Sequence, residues 1–277
     1  MAQKALCIGI NNYPGTDMDL QGCVNDATDW AGVLAERGFK VASLLDEQAT
    51  KAAMLKAMGE LIAKASKGDT LVITFSGHGT YQPDTDGDEV DGLDEALCPY
   101  DLQTNGEALT DDEIRNLFLT RKAGVRIVLI SDSCHSGTVT RAAKAEKDAD
   151  SRPRFMPMGN WLPDKLLPRN RAGKVAATMT GPAGTTPFFG AYSNKLGDLL
   201  LSGCKEGPNN FSYDARIKGR FNGACTYYAL KALKSMKPGA TYAEWHKAIT
   251  KYLPSASYPQ SPQIVGSATA RKGKIFE

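Results

Sequence analysis

The sequence has no uninterrupted apolar run of ~18 residues, the length that reads as a membrane-spanning helix. It has no C-x-x-C pair among its six cysteines, which removes the usual redox and zinc signatures. It carries only three histidines, His78, His135 and His246, so any imidazole chemistry falls to one of these. No sign of charge dominates: 33 Lys+Arg against 31 Asp+Glu leave +2, which offers no global case for nucleic-acid binding. The first residues, Met-Ala-Gln-Lys-Ala-Leu-Cys-Ile-Gly-Ile, lack the apolar stretch and small-residue site of a signal peptide and read as a strand. The expectation is a cytoplasmic protein with reduced thiols, most of them small buried hydrophobes.

What is present is an alternation. Short apolar runs at Ala5–Ile10, Lys40–Leu45, Thr70–Phe75, Val125–Ile130 and Asp198–Ser202 are β-branched or Leu-rich and do not alternate with polar residues, as strands buried on both faces should read. Between them, amphipathic periodicity predicts helices over 25–37 and 50–65, and later over 222–235 and 242–253. Thr110-Asp-Asp-Glu113 is a capping-box start for another helix, to about residue 120. The expected fold is α/β, a three-layer α/β/α sandwich with a mainly parallel central sheet.

Two stretches break this order. Asp84 to Glu113 holds twelve acids and no Lys or Arg. Arg141 to Lys174 holds nine basic and four acidic residues with four prolines, and reads as a mobile, basic linker. The division expected is a large subdomain over 1–140, a linker or insertion over 141–197, and a small subdomain over 198–277 that completes the same fold.

Ligands of open α/β sheets bind beyond the carboxyl ends of the strands. The third run leads into Ser76-Gly77-His78-Gly79, and the fourth into Ser131-Asp132-Ser133-Cys134-His135-Ser136-Gly137. Neighbouring parallel strands would bring His78 and Cys134 to one edge. A thiolate there is a nucleophile, and an imidazole beside it can take and return a proton. The backbone N–H groups of Gly79 and Cys134 are candidates for an oxyanion hole. His135 shares the turn of the cysteine and points elsewhere. His246, beside Trp245 on a late helix, reads as packing.

On these residues the chain resembles the metacaspases, caspase-like cysteine peptidases, in their compact prokaryotic form. The resemblance extends over Gly-Ile-Asn-Asn-Tyr (9–13), Leu-Gln-Gly-Cys-Val-Asn-Asp (20–26), Phe-Ser-Gly-His-Gly-Thr (75–80), Asp-Thr-Asp-Gly-Asp-Glu (84–89), Asp-Gly-Leu-Asp-Glu (91–95), the Asp-Ser-Cys-His-Ser-Gly block and Leu-Ser-Gly-Cys-Lys-Glu (201–206). It implies His78 and Cys134 as a catalytic dyad, and a primary pocket formed by Asp26, Ser76 and Asp132. Two carboxylates attract a guanidinium or ammonium and repel Asp, so cleavage after Arg or Lys in protein or peptide substrates is expected. Rival readings are a caspase-fold peptidase of other specificity and a non-catalytic interaction module.

The resemblance also implies, for many members, activation by calcium through an Asp pair matching Asp111 and Asp112. Arg141 stands near where a further acid is expected. Asp84, Asp86, Asp88 and Glu95 fit EF-hand spacing, but Glu89 occupies the obligatory glycine position. No cofactor is needed for the chemistry itself. Nucleic-acid and membrane partners are not expected, and the resemblance implies a monomer. Arg141, Lys144, Lys147 and Arg152 are candidate sites of self-cleavage.

Overall fold

The computed structural model describes residues 2–83, 93–134, 150–167, 198–205 and 210–277. In chain order the strands are β1 (Gln3–Gly9), β2 (Lys40–Leu45), β3 (Thr70–Ser76), β4 (Gly79–Pro83), β5 (Leu93–Leu97), β6 (Leu109–Thr110), β7 (Arg126–Asp132), β8 (Ser151–Pro153), β9 (Leu199–Ser202), β10 (Tyr213–Ile217), β11 (Arg220–Gly223) and β12 (Gln263–Gly266). The helices are α1 (Cys23–Glu36), α2 (Lys51–Ala63), α3 (Leu102–Asn105), α4 (Asp111–Leu119), α5 (Ala224–Lys234), α6 (Tyr242–Ile249) and α7 (Ala268–Lys272).

The central sheet has the order β12-β9-β7-β3-β1-β2 and is parallel except for β12, which runs antiparallel to β9. Alternate residues of each run face opposite ways. Leu6, Ile8, Leu71, Ile73, Phe75, Ile127, Leu129 and Leu200 enter one core with Met54, Met58 and Ile62 of α2 and Ile114 and Phe118 of α4. Ala5, Cys7, Val72, Val128, Ile130, Leu199 and Leu201 enter the other, with Ala27, Trp30 and Leu34 of α1 and with α5 and α6. Burial on both faces is why these strands read as unbroken apolar runs. The architecture is the expected α/β/α sandwich. Helix α4 starts with the capping box read from sequence, Thr110 and Glu113 each bonding the other's backbone.

Some boundaries differ. The periodicity from 222 includes Asn222 and Gly223, which instead end β11, so α5 begins at Ala224. Helix α6 stops at Ile249, four residues short of the expected end. Strand β12 carries too few apolar residues to register as a run.

The basic stretch is not uniform. Residues 151–156 form β8 and an extended continuation, with Phe155 and Met156 buried, and Trp161, Leu162 and Leu167 are buried beyond them. Strand β9 inserts beside β7, so residues on both sides of the 141–197 segment share one sheet. The acids at 84–91, and Arg141, Lys144, Lys147 and His135, lie outside the described residues.

Gly9 closes β1 where α1 crosses it. A Cβ at Gly9 would overlap the carbonyl oxygen of Cys23 and lie 2.8 Å from the Cβ of Ala27. Backbone cannot yield as a flexible side chain does. Gly9→Ala is therefore expected to destabilise the fold by about 1–3 kcal/mol, read as a lower urea midpoint with an unchanged slope; an unchanged midpoint would contradict this packing.

Candidate active site

Strands β3 and β7 are parallel neighbours, with Ser76 opposite Asp132. The chain leaving β3 carries His78, and the chain leaving β7 carries Cys134. Both residues are buried. His78 is held from two sides. Its backbone N–H donates to the Tyr13 hydroxyl at 2.8 Å, and its Nε2 lies 2.6 Å from the carbonyl oxygen of Met18. That contact requires the proton on Nε2, which leaves Nδ1 as the basic lone pair. Nδ1 is buried and has no hydrogen-bond partner. Burial pushes the His78 pKa down to about 4, so the imidazole is neutral near pH 7 and able to accept a proton. The Cys134 thiol donates to the carbonyl of Asn210 at 3.3 Å.

The two proposed oxyanion donors converge on one oxygen. Gly79 N–H and Cys134 N–H donate to the carbonyl oxygen of Arg154 at 3.0 and 3.1 Å. The side chain of the same arginine runs into a closed acidic pocket. Its Nη2 lies 2.7 Å from Asp26 Oδ2 and 2.9 Å from Asp214 Oδ1, and its Nη1 lies 3.5 Å from Asp132 Oδ2. Nη1 also donates to the Asp132 carbonyl at 3.1 Å.

Each carboxylate is fixed by other donors. Asp26 accepts from Asn222 Nδ2 and Gly223 N–H. Asp132 accepts from the Ser212 hydroxyl and Thr226 N–H. Asp214 accepts from Gln21 and Gly22 N–H. Gly223 and Gly203 form close walls: a Cβ at the first would overlap Asp132 Oδ2 and Arg154 Nη1, and one at the second would lie 2.6 Å from Ser212 Oγ.

Burial opposes the charge of Arg154, but the surrounding acids outweigh this and hold the guanidinium well above its ordinary pKa. Burial pushes Asp26 up to about 7 against the pull of Arg154, with Asp132 adding to the rise. Three carboxylates facing one guanidinium exceed it in charge, and a proton on Asp26 reduces the excess.

Of the residues read from sequence, His78, Cys134, Gly79, Asp26 and Asp132 meet at this edge. Ser76 is buried beside Asp132 in the strand register, but the guanidinium's bonds go to the three aspartates. Asp214, Met18 and Arg154 were not read from sequence. His246 lies on α6, with Nε2 2.9 Å from the Pro262 carbonyl, in a packing role.

Asp111 and Asp112 occupy the first turn of α4, and Asp112 pairs with Arg115 at 2.8 Å. A calcium site takes six to eight oxygens. Among the described residues no group of three or more His, Cys, Asp or Glu is placed to hold a metal ion. The described donors do not fit calcium, and no step below passes through it. Among the described residues no helix is long and apolar enough to cross a membrane.

The chain is similar to known proteins over most of its length. The family described as "Metacaspase, peptidase C14 domain" matches residues 3–143. Metacaspase-1B of Aspergillus niger is 42% identical over 95% of this chain and 64% of its own length. Metacaspase-1A of Neurospora crassa is 33% identical over 96% of this chain and 63% of its own. Metacaspase-1B of Aspergillus oryzae is 31% identical over 95% of this chain and 67% of its own. The chain thus spans about two thirds of the length of these relatives. A crystal structure of a protein from Geobacter sulfurreducens superposes with a TM-score of 0.72 at 32% identity, covering 100% of this chain and 98% of that one.

The depressed His78 value has a consequence for stability. Between its ordinary 6.5 and about 4 in the fold, the unfolded chain binds the proton and the native one does not. The stabilisation is complete above pH 6.5 and is lost as pH falls towards 4, by ~3 kcal/mol at most. Asp26 and Asp198, raised to about 7 and about 6, act in the opposite direction over that range. The difference in urea stability between wild type and His78→Gln isolates the histidine: it should shrink as pH falls from 6.5 to 4.5. A constant difference would contradict a buried neutral imidazole.

Proposed function

Because this chain belongs to the metacaspase family of cysteine-type endopeptidases, we propose that it hydrolyses peptide bonds after arginine or lysine. The observation that carries the specificity is Arg154, whose guanidinium fills the pocket of Asp26, Asp132 and Asp214 while its carbonyl accepts from both Gly79 and Cys134. A substrate arginine in the same place presents its carbonyl carbon to the nucleophile. An acidic residue there would face three carboxylates, so specificity for Asp is disfavoured.

In the proposed reaction, His78 Nδ1 takes the thiol proton and Cys134 Sγ attacks the carbonyl carbon. The oxygen develops negative charge against two N–H donors already aimed at it. His78 gives its proton to the leaving amine, and water then hydrolyses the thioester. Met18 fixes the tautomer through its carbonyl, a positioning role. The substrates are proteins or peptides with an accessible Arg or Lys. All six cysteines are free, which supports a reducing, cytoplasmic setting. A monomer, as the resemblance to metacaspases implies, completes the reading.

Fluorogenic peptides ending in Arg, Lys, Asp or Asn, with and without calcium, test the assignment. Arg and Lys reporters should be turned over and Asp reporters should not; Cys134→Ala should abolish turnover. Asp214→Asn keeps the shape and removes one charge. It should lower kcat/KM for Arg reporters ~10–100-fold, as expected for loss of a charge-assisted hydrogen bond, with a smaller effect on neutral ones. Preference for Asp at the cleaved position would refute the pocket assignment.

A further inference from the structure

We infer that Cys204 is a resolving cysteine: when a peroxide oxidises Cys134, the two close a disulfide that silences the site reversibly and shields Cys134 from further oxidation. The inference rests on Cys134 being the nucleophile of the proposed reaction, not on what the pocket selects.

The two sulfurs are brought together by the sheet. Strand β9 lies beside β7 in parallel register, with Ser202 opposite Ser131. Gly203 N–H extends the pairing by donating to Ser131 O at 2.7 Å. Cys204 stands two residues beyond Ser202, and Cys134 three beyond Ser131. Neighbouring strands lie about 4.8 Å apart, within the Cα–Cα span of a disulfide, about 4.4–6.8 Å. Cys204 Sγ lies 3.7 Å from the carbonyl oxygen of Ser133, the residue before the nucleophile. The two thiols are in hydrogen-bonding contact with each other. Both pack in one small buried cluster with Tyr81, Phe155 and Phe211. The main chain at Cys204 is fixed: Ser202 Oγ donates to its carbonyl at 2.9 Å, and Gln260 Nε2 donates to Gly203 O at 2.9 Å.

A buried cysteine is ordinarily a small hydrophobe, and Cys7 and Cys98 fit that description. Packing accounts for the burial of Cys204 but asks for no sulfur against the reacting one. The contact with Cys134, together with burial, holds the Cys204 thiol well above its ordinary pKa. Cys204 therefore stays protonated and leaves the first reaction with an oxidant to Cys134, whose proton His78 can take. Both residues are buried, so the oxidant must be small, as hydrogen peroxide is.

Two steps balance. The Cys134 thiolate attacks one peroxide oxygen and the O–O bond breaks. The departing hydroxide takes the proton from His78 and leaves as water, with Cys134 now a sulfenic acid. Cys204 Sγ then attacks that sulfur, the S–O bond breaks, and the hydroxide leaves as water with the Cys204 proton. Two thiols are oxidised to one disulfide and one peroxide is reduced to two waters. A dithiol reductant returns both thiols by exchange. Without Cys204, the sulfenic acid is open to a second peroxide and to irreversible sulfinic and sulfonic acids.

Reduced full chain, freed of reductant, should be treated with rising hydrogen peroxide, blocked with N-ethylmaleimide under denaturing conditions, digested and mapped by mass. An arginyl reporter should be assayed in parallel, before and after dithiothreitol. Wild type should yield a peptide pair joined through Cys134 and Cys204, two hydrogens lighter than the separate thiols. Reporter turnover should fall as that pair appears and return with dithiothreitol. In Cys204→Ala, Cys134 should appear as sulfinic or sulfonic acid, and dithiothreitol should recover less than about a tenth of the turnover that it recovers in wild type.

The wild-type map decides by itself, whatever the variant's stability. Oxidation of wild-type Cys134 to sulfinic or sulfonic acid with no link, or a link from Cys134 to another cysteine, overturns the inference and leaves the peptidase reading standing. Equal recovery of wild type and Cys204→Ala overturns it as well. A link between Cys134 and Cys204 in a chain that turns over no arginyl reporter when reduced upholds the disulfide and overturns the Arg/Lys reading.

Discussion

Everything at this site depends on one buried charge cluster, a guanidinium among three carboxylates from three separate elements. Asp26 lies on α1, Asp132 ends β7 and Asp214 lies on β10. Ion groups removed from water are costly unless paired and further hydrogen-bonded, and removing one partner of such a cluster costs ~3–5 kcal/mol. The backbone meets that demand here. N–H groups of residues 21, 22, 223 and 226 point at the acids, with the Ser212 hydroxyl and the Asn222 amide. Segments from both ends of the chain are thereby fixed around one cavity. On the proposed reading the same acids make the pocket selective, because a neutral or acidic occupant leaves them uncompensated.

The reacting groups are held by main chain rather than by other acids. His78 takes its tautomer from a carbonyl, that of Met18, and its position from the Tyr13 hydroxyl. The proposed oxyanion donors are two backbone N–H groups, that of Gly79 at the start of β4 and that of Cys134 just beyond β7. Asn11 joins the same construction by accepting from Cys23 and Val24 N–H at the start of α1. The Gly-Ile-Asn-Asn-Tyr segment thus serves both the helix that carries Asp26 and the imidazole.

The strands were legible because their residues are buried on both faces, and the meeting of His78 and Cys134 at one edge because two reactive sequences follow two of those strands. The pocket acids were legible only through the motifs around Asp26 and Asp132. Asp214 lies beyond Leu-Ser-Gly-Cys-Lys-Glu (201–206), outside every motif quoted, so nothing in the sequence marked it. Met18 acts through a carbonyl, which every residue possesses. Arg154 is one of nine basic residues between Arg141 and Lys174, and composition cannot show that it is buried. Prolines and charge there read as a solvated linker. The burial of Phe155, Met156 and Trp161 is spread over too few residues to show a period.

The central claim is that the pocket reads positive charge. It is tested most directly by comparing two peptide reporters identical except for arginine or citrulline at the cleaved position. Citrulline keeps the length and planar shape of the side chain and removes its charge. The account predicts a loss of kcat/KM of about 100-fold or more for citrulline, since charged hydrogen bonds contribute ~1.5–3 kcal/mol each. Equal turnover of the two reporters would contradict it.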